Sequence, residues 1–202
     1  MSKRIGIMGG TFDPVHIGHL VTAEEARTQF SLDEVVFVPT GLPPHKKQYD
    51  VSSAEHRFLM TSLAVISNLK FSVSRIEIDR NGYSYAVDTV LNFRNKYGDR
   101  AELFFITGAD AILEILTWKD VDRLMQESYF IAATRPGFNL KELEEKLALM
   151  PSEYKKQVFQ MEIPALAISS TDIRNRVTKG KTIKYLVPED IESYLYKNHL
   201  YR

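Results

Sequence analysis

The sequence predicts an α/β fold with a parallel sheet, and three observations support that prediction. Short apolar runs alternate with helical patterns along the chain, as they do in folds whose helices connect parallel strands. The runs are apolar on consecutive residues, which is typical of strands that are covered on both faces. The chain has 202 residues and no stretch with the composition of a linker, so we expect a single domain over residues 1–202.

Strands are predicted at six places. The strong candidates are residues 5–8, 35–38, 103–106 and 129–133, and the weaker ones are residues 71–73 and 158–161. Helices are expected between them. The helical patterns cover residues 18–30, 54–66, 88–97, 140–149 and 188–196.

The helix over residues 54–66 has a clear amphipathic pattern. Its apolar residues Leu59, Leu63 and Ile66 share one face. Either Ser52 or Ser53 is expected to cap this helix, because a serine side chain accepts a hydrogen bond from the first turn. In the predicted helix nearest the C-terminus, Pro188 is expected in the first turn.

Composition excludes several classes of protein. Lys plus Arg and Asp plus Glu each number 26, and this balance argues against a general binder of nucleic acid or of anionic membranes. The absence of Cys excludes disulfides and thiolate chemistry. No apolar run reaches roughly 18 residues, and the N-terminal residues lack the apolar core of a signal peptide. We therefore expect a cytoplasmic protein with no membrane partner.

The most informative segment is residues 9–19, with the sequence GGTFDPVHIGH. It directly follows the first predicted strand. Gly9 and Gly10 allow a sharp turn and a close approach of backbone N–H groups to a ligand. The N-terminus of the next helix adds free N–H groups and the positive end of the helix dipole. The segment therefore predicts an anion site, although its spacing matches neither G-x-G-x-x-G nor a Walker A loop.

Two histidines in this segment are candidate ligands of a phosphate. His16 and His19 lie three residues apart, so at the start of a helix both imidazoles lie on one side. With a phosphate in the glycine turn, both rings could donate hydrogen bonds to it. On spacing alone, two unrelated surface histidines are the more common explanation. A metal pair is a further alternative, but no third ligand is evident nearby.

A second phosphate motif is predicted at residues 168–174, with the sequence ISSTDIR. Ser169, Ser170 and Thr171 are residue types that cap helices, so this segment predicts another helix N-terminus. Arg174 lies one turn further on, where a guanidinium reaches the same anion. By itself the segment is also compatible with a capped and solvated helix.

Both motifs resemble those of a known family. GGTFDPVHIGH is similar to the H-x-G-H signature of the nucleotidyltransferase superfamily, in the form of the bacterial nicotinate-nucleotide adenylyltransferases. ISSTDIR resembles the second signature of that family, and the resemblance covers nearly the whole chain. We therefore predict a Rossmann-like, doubly wound parallel sheet in one α/β domain, with a C-terminal helical part at about residues 165–202.

The resemblance implies an ATP site that contains the catalytic residues, which are His16, His19, Lys46 and Arg174. His16 and His19 would contact the α-phosphate with help from Lys46, and Arg174 would contact the β- and γ-phosphates. The residues expected at ATP are Gly9, Gly10, Thr11, Phe12, His16, His19, Gly108, Asp110, Ile168, Ser169, Ser170, Thr171 and Arg174. Asp110 follows a predicted strand, at the sheet edge where ligands bind in open α/β folds.

The resemblance also implies an acceptor site. In residues 80–89 (RNGYSYAVDT), Ser84 is expected to cap the next helix, and Ala86 stands where the family usually has Thr. Trp118 is expected to stack on a pyridine ring, with ordinary packing as the alternative. Residues 41–52 are interpreted as a functional loop, with a solvated basic loop as the alternative. The residues expected at nicotinate mononucleotide are His45, Lys46, Ser84, Tyr85, Ala86, Thr89, Trp118, Lys119 and Arg135.

The implied reaction is adenylyl transfer from ATP to nicotinate mononucleotide, which gives nicotinate adenine dinucleotide and pyrophosphate in NAD biosynthesis. An attacking phosphate needs no general base, so the protein positions the substrates and stabilises charge. Mg²⁺ would be held mainly by the ATP phosphates, without protein ligands. The alternatives are transfer to nicotinamide mononucleotide or phosphopantetheine, and a non-catalytic nucleotide-binding regulator. No nucleic-acid partner is expected, and a homodimer is expected from base rates alone.

Overall fold

A computed structural model describes residues 2–43, 51–134, 140–164 and 166–202. Each of the six predicted strands is present. They are β1 (Arg4–Gly10), β2 (Glu34–Pro39), β3 (Phe71–Val73), β4 (Glu102–Gly108), β5 (Tyr129–Thr134) and β6 (Val158–Glu162). They form one sheet in the order β3-β2-β1-β4-β5-β6, which is the strand order of a doubly wound fold.

The strand pairs β1–β4, β4–β5 and β5–β6 are parallel. In the first pair, Ile5 is level with Leu103 and Met8 with Ile106. These four side chains are buried, as expected where consecutive residues of a parallel strand are covered on both faces. Because the strands run in the same direction, the carboxyl ends of β1 and β4 meet at one edge of the sheet.

The helices follow the strands along the chain. Those in the described residues are α1 (Ile17–Gln29), α2 (Ala54–Val65), α3 (Ala86–Tyr97), α4 (Ala109–Leu113), α5 (Val121–Glu127), α6 (Leu140–Ala148), α7 (Ser152–Lys155), α8 (Ser170–Thr178) and α9 (Glu189–Lys197). Helices α4, α5 and α7 were not predicted, because elements of one or two turns have too few residues to show a period.

Helix α2 begins as predicted but packs through another face. Ser53 is the N-cap, and its hydroxyl accepts from the backbone N–H of His56. The apolar stripe identified in the sequence is turned outward, with Ile66 73% exposed. The buried face carries Arg57, Met60 and Ala64 instead. The first buried residue of α2 is therefore the charged Arg57.

Two other predicted helix starts need correction. Ser84 does not cap α3, because Tyr85 is the N-cap and the Ser84 hydroxyl accepts from the backbone N–H of Gly41 at 3.1 Å. Pro188 is the N-cap of α9 rather than a residue of its first turn, since its ψ of 150° is extended. Both corrections shift a boundary by one or two residues and leave the helix itself in place.

The chain divides into two compact units. Unit 1 consists of Met1–Gly9, Ala23–Val35 and Tyr85–Ala165, and unit 2 consists of Gly10–Thr22, Val36–Ser84 and Leu166–Arg202. The core of unit 1 includes Leu103 and Phe130, and that of unit 2 includes Phe37, Met60 and Leu195. The expectation of a single domain stays a prediction.

None of the helices within the described ranges is long and apolar enough to cross a membrane.

Candidate active site

The glycine–histidine loop, residues 10–19, lies in unit 2 and leads into α1. A Cβ on Gly10 would lie 2.9 Å from the Phe12 ring, so a larger residue would displace that ring. Phe12 is buried and has a φ of 51°, in the left-handed region that non-glycine residues seldom adopt. Its ring packs edge-on against that of His19, with the centroids 5.0 Å apart. The loop therefore keeps a strained residue in contact with a candidate ligand of phosphate.

The two histidines of the loop lie together, as their spacing predicts. Their ring centroids are 3.7 Å apart and the planes differ by 24°, so the imidazoles stack. The backbone N–H of His16 donates to Nδ1 of His19 at 3.2 Å. Because Nδ1 of His19 accepts this bond, Nε2 carries the proton in the neutral ring and is a donor. His16 is only 4% exposed, whereas His19 is half-buried, so His19 is the more accessible of the two.

The second predicted motif is joined directly to this loop. The Ser170 hydroxyl donates to the carbonyl oxygen of Pro14 at 2.9 Å, across 156 residues of sequence. Nη1 of Arg174 donates to the carbonyl oxygen of Asp13 at 2.7 Å. The two motifs are therefore contiguous in unit 2, and the first turn of α8 is fixed relative to the loop.

The other residues of this motif lie at the same helix end. Of the three predicted capping residues, Ser169 is the N-cap of α8, and its hydroxyl accepts from the backbone N–H of Asp172 at 3.1 Å. The Thr171 hydroxyl accepts from Nη2 of Arg174 at 3.2 Å. Ile168 is buried, and its Cβ lies 3.9 Å from the position that a Cβ on Gly18 would take. Hydroxyls and a guanidinium thus surround the start of the helix.

Asp13 links the loop to two further segments of unit 2. Its carboxylate is 2% exposed, accepts the backbone N–H of Ser52 at 3.1 Å and accepts the hydroxyl of Tyr201 at 2.6 Å. Burial and the nearby Asp13 charge raise the pKa of Tyr201, so the phenol stays protonated and remains a donor. The Thr178 hydroxyl donates to the carbonyl oxygen of Tyr201 at 2.9 Å and so helps to fix Tyr201. The Asp13 carboxylate is therefore bound by Ser52 and by Tyr201.

Arg57 is the largest fully buried side chain in unit 2 and is 1% exposed. Its guanidinium donates to four backbone carbonyl oxygens, those of Ser52 at 3.0 Å, Thr11 at 3.0 Å, Thr40 at 2.5 Å and Gly41 at 3.1 Å. Burial lowers the pKa of Arg57, and the nearby Asp13 carboxylate opposes that shift. One side chain thereby ties the loop to the end of β2 and to the start of α2.

The sequence pattern does not predict a role for Arg57 or Tyr201. Arg57 has one signal in the sequence, because it falls in helical phase with Met60 and Ala64 on the face that α2 buries. No local signal marks Tyr201, since its partner Asp13 is 188 residues away.

The candidate acceptor residues with described positions lie mainly in unit 1. Nζ of Lys119 lies 4.4 Å from the centroid of the Tyr85 ring and 3.3 Å from a carboxylate oxygen of Asp88. Ala86 is the first residue of α3, where Tyr85 provides no side-chain cap. Thr89 is fully buried on the same helix. Ser84 belongs to unit 2, where it holds Gly41.

Gly108, Asp110 and Trp118 of unit 1 lie at the end of β4 or in the segment that follows it. The Trp118 ring meets the rings of Phe105 and Phe130 edge-on, with centroids 6.0 and 6.4 Å apart, and it is partly exposed. Gly108 is exposed and is the N-cap of α4, and Asp110 is exposed in the first turn. A Cβ on Gly9 would lie 3.1 Å from the Phe105 ring. Trp118 is thus held against two aromatic rings of unit 1.

Three predicted site residues, His45, Lys46 and Arg135, lie outside the described residues. Within the described ranges, no group of three His, Asp or Glu side chains could hold a metal ion.

Comparisons with known proteins support the family that the two motifs resemble. A family model described as cytidylyltransferase-like matches residues 7–176. The chain is 62% identical over 199 residues to a Moorella thermoacetica protein named probable nicotinate-nucleotide adenylyltransferase, and the match covers 98% of this chain and 92% of that protein. A protein of the same name from Thermoanaerobacter sp. is 54% identical over 199 residues, or 98% of this chain and 94% of the relative.

Solved structures have the same fold. The nicotinic acid mononucleotide adenylyltransferase of Plasmodium falciparum, complexed with NaAD, matches with a TM-score of 0.77 and 22% identity over 98% of this chain and 97% of that one. The same protein complexed with APC matches with a TM-score of 0.76 at the same identity and coverage. The predicted Rossmann-like α/β fold is thereby confirmed.

Proposed function

The chain belongs to the nicotinate-nucleotide adenylyltransferase family, and from this premise we propose that it transfers the adenylyl group of ATP to nicotinate mononucleotide. A phosphate oxygen of the mononucleotide attacks the α-phosphorus of ATP. The bond from that phosphorus to the bridging oxygen of the β-phosphate breaks as the new bond forms. The products are nicotinate adenine dinucleotide and pyrophosphate, which balances all atoms and charges of the transfer.

The observation that carries this proposal is the stacked pair of histidines beside the glycine turn. His19 presents a protonated Nε2, because its Nδ1 accepts the backbone N–H of His16. A ring N–H directed at the α-phosphate stabilises the charge that develops there during transfer. Because the attacking group is already an anion, the histidines need to remove no proton, and positioning accounts for most of the catalysis.

Helix α8 supplies the second half of the ATP site in this proposal. Its first turn offers free backbone N–H groups and the positive end of the helix dipole to the β- and γ-phosphates. Ser170, Thr171 and Arg174 lie at that end, and Arg174 has donors beyond its bonds to Asp13 and Thr171. Gly10, Thr11 and Phe12 would line the adenylate, together with Gly9, Ile168 and Ser169.

The acceptor would be recognised by unit 1. The start of α3 has no side-chain cap, so backbone N–H groups at Ala86 suit the carboxylate of the nicotinate ring, even without the usual Thr. Trp118 would stack on the pyridine, and Lys119 would pair with the mononucleotide phosphate. Lys46, His45 and Arg135 are proposed to contribute further cationic or hydrogen-bonding groups. Gly108 and Asp110 are proposed to contact ATP.

The proposed metal is Mg²⁺ bound to the ATP phosphates as part of the substrate. In this proposal the ion keeps most of its water and phosphate ligands, as Mg²⁺ commonly does. Its chemistry would be to neutralise charge on the leaving pyrophosphate. The cytoplasmic location and the homodimer stay predictions.

A direct assay tests the proposed reaction. The protein is mixed with MgATP and either nicotinate mononucleotide, nicotinamide mononucleotide or phosphopantetheine, and pyrophosphate release is followed. We expect turnover that is at least about tenfold faster with nicotinate mononucleotide, because an acid group at the start of α3 gains charge-assisted hydrogen bonds. A preference for the amide or for phosphopantetheine would overturn the proposed acceptor. ATP binding without turnover on any of the three would favour a regulator.

A further inference from the structure

We propose that Tyr201 and Arg57 are positioning residues for adenylyl transfer, because they fix the shape of the glycine–histidine loop through Asp13 and Thr11. The inference rests on the proposed function. Neither side chain belongs to a sequence motif, and neither touches the histidines in the contacts described above. Their effect on the reaction would therefore pass through the loop backbone.

The strained residue in the loop is the first argument. Phe12 adopts a φ of 51°, which an L-residue keeps only where its surroundings fix it. Both neighbours of Phe12 are held. The carbonyl oxygen of Thr11 accepts from Arg57 at 3.0 Å, and the carboxylate of Asp13 accepts from Tyr201 at 2.6 Å. The two side chains thus hold the backbone on either side of the strained residue.

The position of Asp13 in the site is the second argument. Its carbonyl oxygen accepts from Arg174, and the next carbonyl oxygen, that of Pro14, accepts from Ser170. The loop then continues within a few residues to His16 and His19. A displacement of Asp13 would therefore move the donors of α8 and the histidines together. Errors of about 1 Å in such donors are enough to cost on the order of 100-fold in rate.

Burial is the third argument. Asp13 and Arg57 are each at most 2% exposed, so water does not replace a bond that is lost there. Without the Tyr201 hydroxyl, the Asp13 carboxylate would keep the Ser52 N–H and lose its other described donor. The carboxylate would then turn toward another protein donor, and the loop backbone would move with it.

The test compares two Tyr→Phe variants of the full chain. Tyr201→Phe removes the bond to Asp13 and keeps the ring. Tyr194→Phe is the matched control, because it removes a hydrogen bond of 2.8 Å to His56 that joins α9 to α2 in the same unit. We measure kcat and the KM for ATP with nicotinate mononucleotide, and we measure Tm for each variant.

The expected result is a split between the two kinetic constants. Tyr201→Phe lowers kcat at least about tenfold and leaves the KM for ATP within about threefold, because misplaced donors affect the transition state more than ground-state binding. Tyr194→Phe removes a part-buried hydrogen bond between uncharged groups, so it lowers Tm less and keeps kcat within about twofold of the wild type. Arg57→Lys, which cannot hold four carbonyl oxygens, lowers kcat further if it folds.

Three results would contradict the positioning role, and only the last of them would also contradict the proposed function. Turnover in the wild type with an unchanged kcat in Tyr201→Phe, or equal kcat losses in Tyr201→Phe and Tyr194→Phe, would overturn the positioning role and leave the proposed function intact. No turnover in the wild type would overturn the proposed function and the positioning role with it. The Tyr201→Phe result decides the matter even where Arg57→Lys does not fold.

Discussion

The two units hold their candidate site residues by different means. In unit 2, the glycine–histidine loop is fixed by buried, charge-assisted hydrogen bonds from Arg57 and Arg174 and to Asp13. In unit 1, Lys119 is about half-exposed and is held by an ion pair and one aromatic ring. Buried bonds of this kind are stronger than exposed ones, which water and salt screen. The comparison predicts that the proposed phosphate site is held more firmly than the proposed acceptor site.

The two units also differ in how closely the chain packs around a glycine in each of them. A Cβ on Gly41, in unit 2, would lie 2.1 Å from the carbonyl oxygen of Glu77, a distance that backbone atoms cannot accept. A Cβ on Gly108, in unit 1, would meet nothing within 4 Å. A substitution at the close-packed glycine should therefore cost more stability than one at the open glycine.

The largest effect is expected for His19→Ala in unit 2. Removing a donor from the transferred phosphate should lower kcat by about 100-fold or more, with Tm nearly unchanged because His19 is only half-buried. The measurement is steady-state pyrophosphate release. The control is His56→Ala, a histidine of the same unit whose ring contacts Tyr194 and which should keep the wild-type kcat. Near-normal turnover in His19→Ala would contradict the role assigned to this histidine.

The second prediction concerns the stability of unit 2. Gly41→Ala should lower the free energy of unfolding by about 2 kcal/mol or more, because the added methyl group displaces backbone rather than a flexible side chain. Gly108→Ala is the matched control and should stay within about 0.5 kcal/mol of the wild type. Denaturant unfolding measures both values. Equal losses in the two variants would remove the contrast in packing.

A smaller effect is expected in unit 1. Lys119→Ala should raise the KM for nicotinate mononucleotide roughly tenfold while kcat changes little, since one charge-assisted contact to the acceptor is lost. Lys96→Ala is the matched control, because Lys96 also lies over a tyrosine ring, at 4.9 Å, but has no proposed role. If both variants keep the wild-type KM, Lys119 does not contact the acceptor.

The smallest effect is expected for an exposed ion pair of unit 2. The hydrogen bond from Arg75 lowers the pKa of Glu55, so this carboxylate contributes stability above its ordinary pKa and loses it as the pH falls through the lowered value. Because the pair is exposed, Glu55→Gln should lower Tm by no more than about 1 °C at neutral pH, and the difference should vanish in acid. A large loss would show that charge, rather than burial, distinguishes the bonds of unit 2.

Local patterns in the sequence predict most of the fold. All six strands were predicted because a run of apolar residues is a local property, as in β4 and β5. Capping is also a local property. Ser52 or Ser53 was predicted to cap α2 and residues 169–171 were predicted to cap α8, and the structure uses Ser53 and Ser169. The pairing of His16 and His19 also follows from helical spacing and needs no knowledge of distant segments.

The rest depends on contacts between distant segments. The outward stripe of α2 could not be recognised from its own residues, because Arg57 is buried only through carbonyl oxygens up to 46 residues away. The sequence predicts that the Ser84 hydroxyl caps α3. In the structure this hydroxyl instead accepts from the backbone N–H of Gly41, 43 residues earlier. The roles of individual site residues stay predictions, because each role is a contact with a bound substrate.

The long separation of Asp13 and Tyr201 has a consequence for synthesis of the chain. The two residues are 188 positions apart. At a translation rate of roughly 5–20 residues per second, Asp13 is made about 10–40 s before its phenol partner. A nascent chain can contain both histidines and still lack the side chain that completes the loop. The glycine–histidine loop would thus reach its final shape only after Tyr201 has been made.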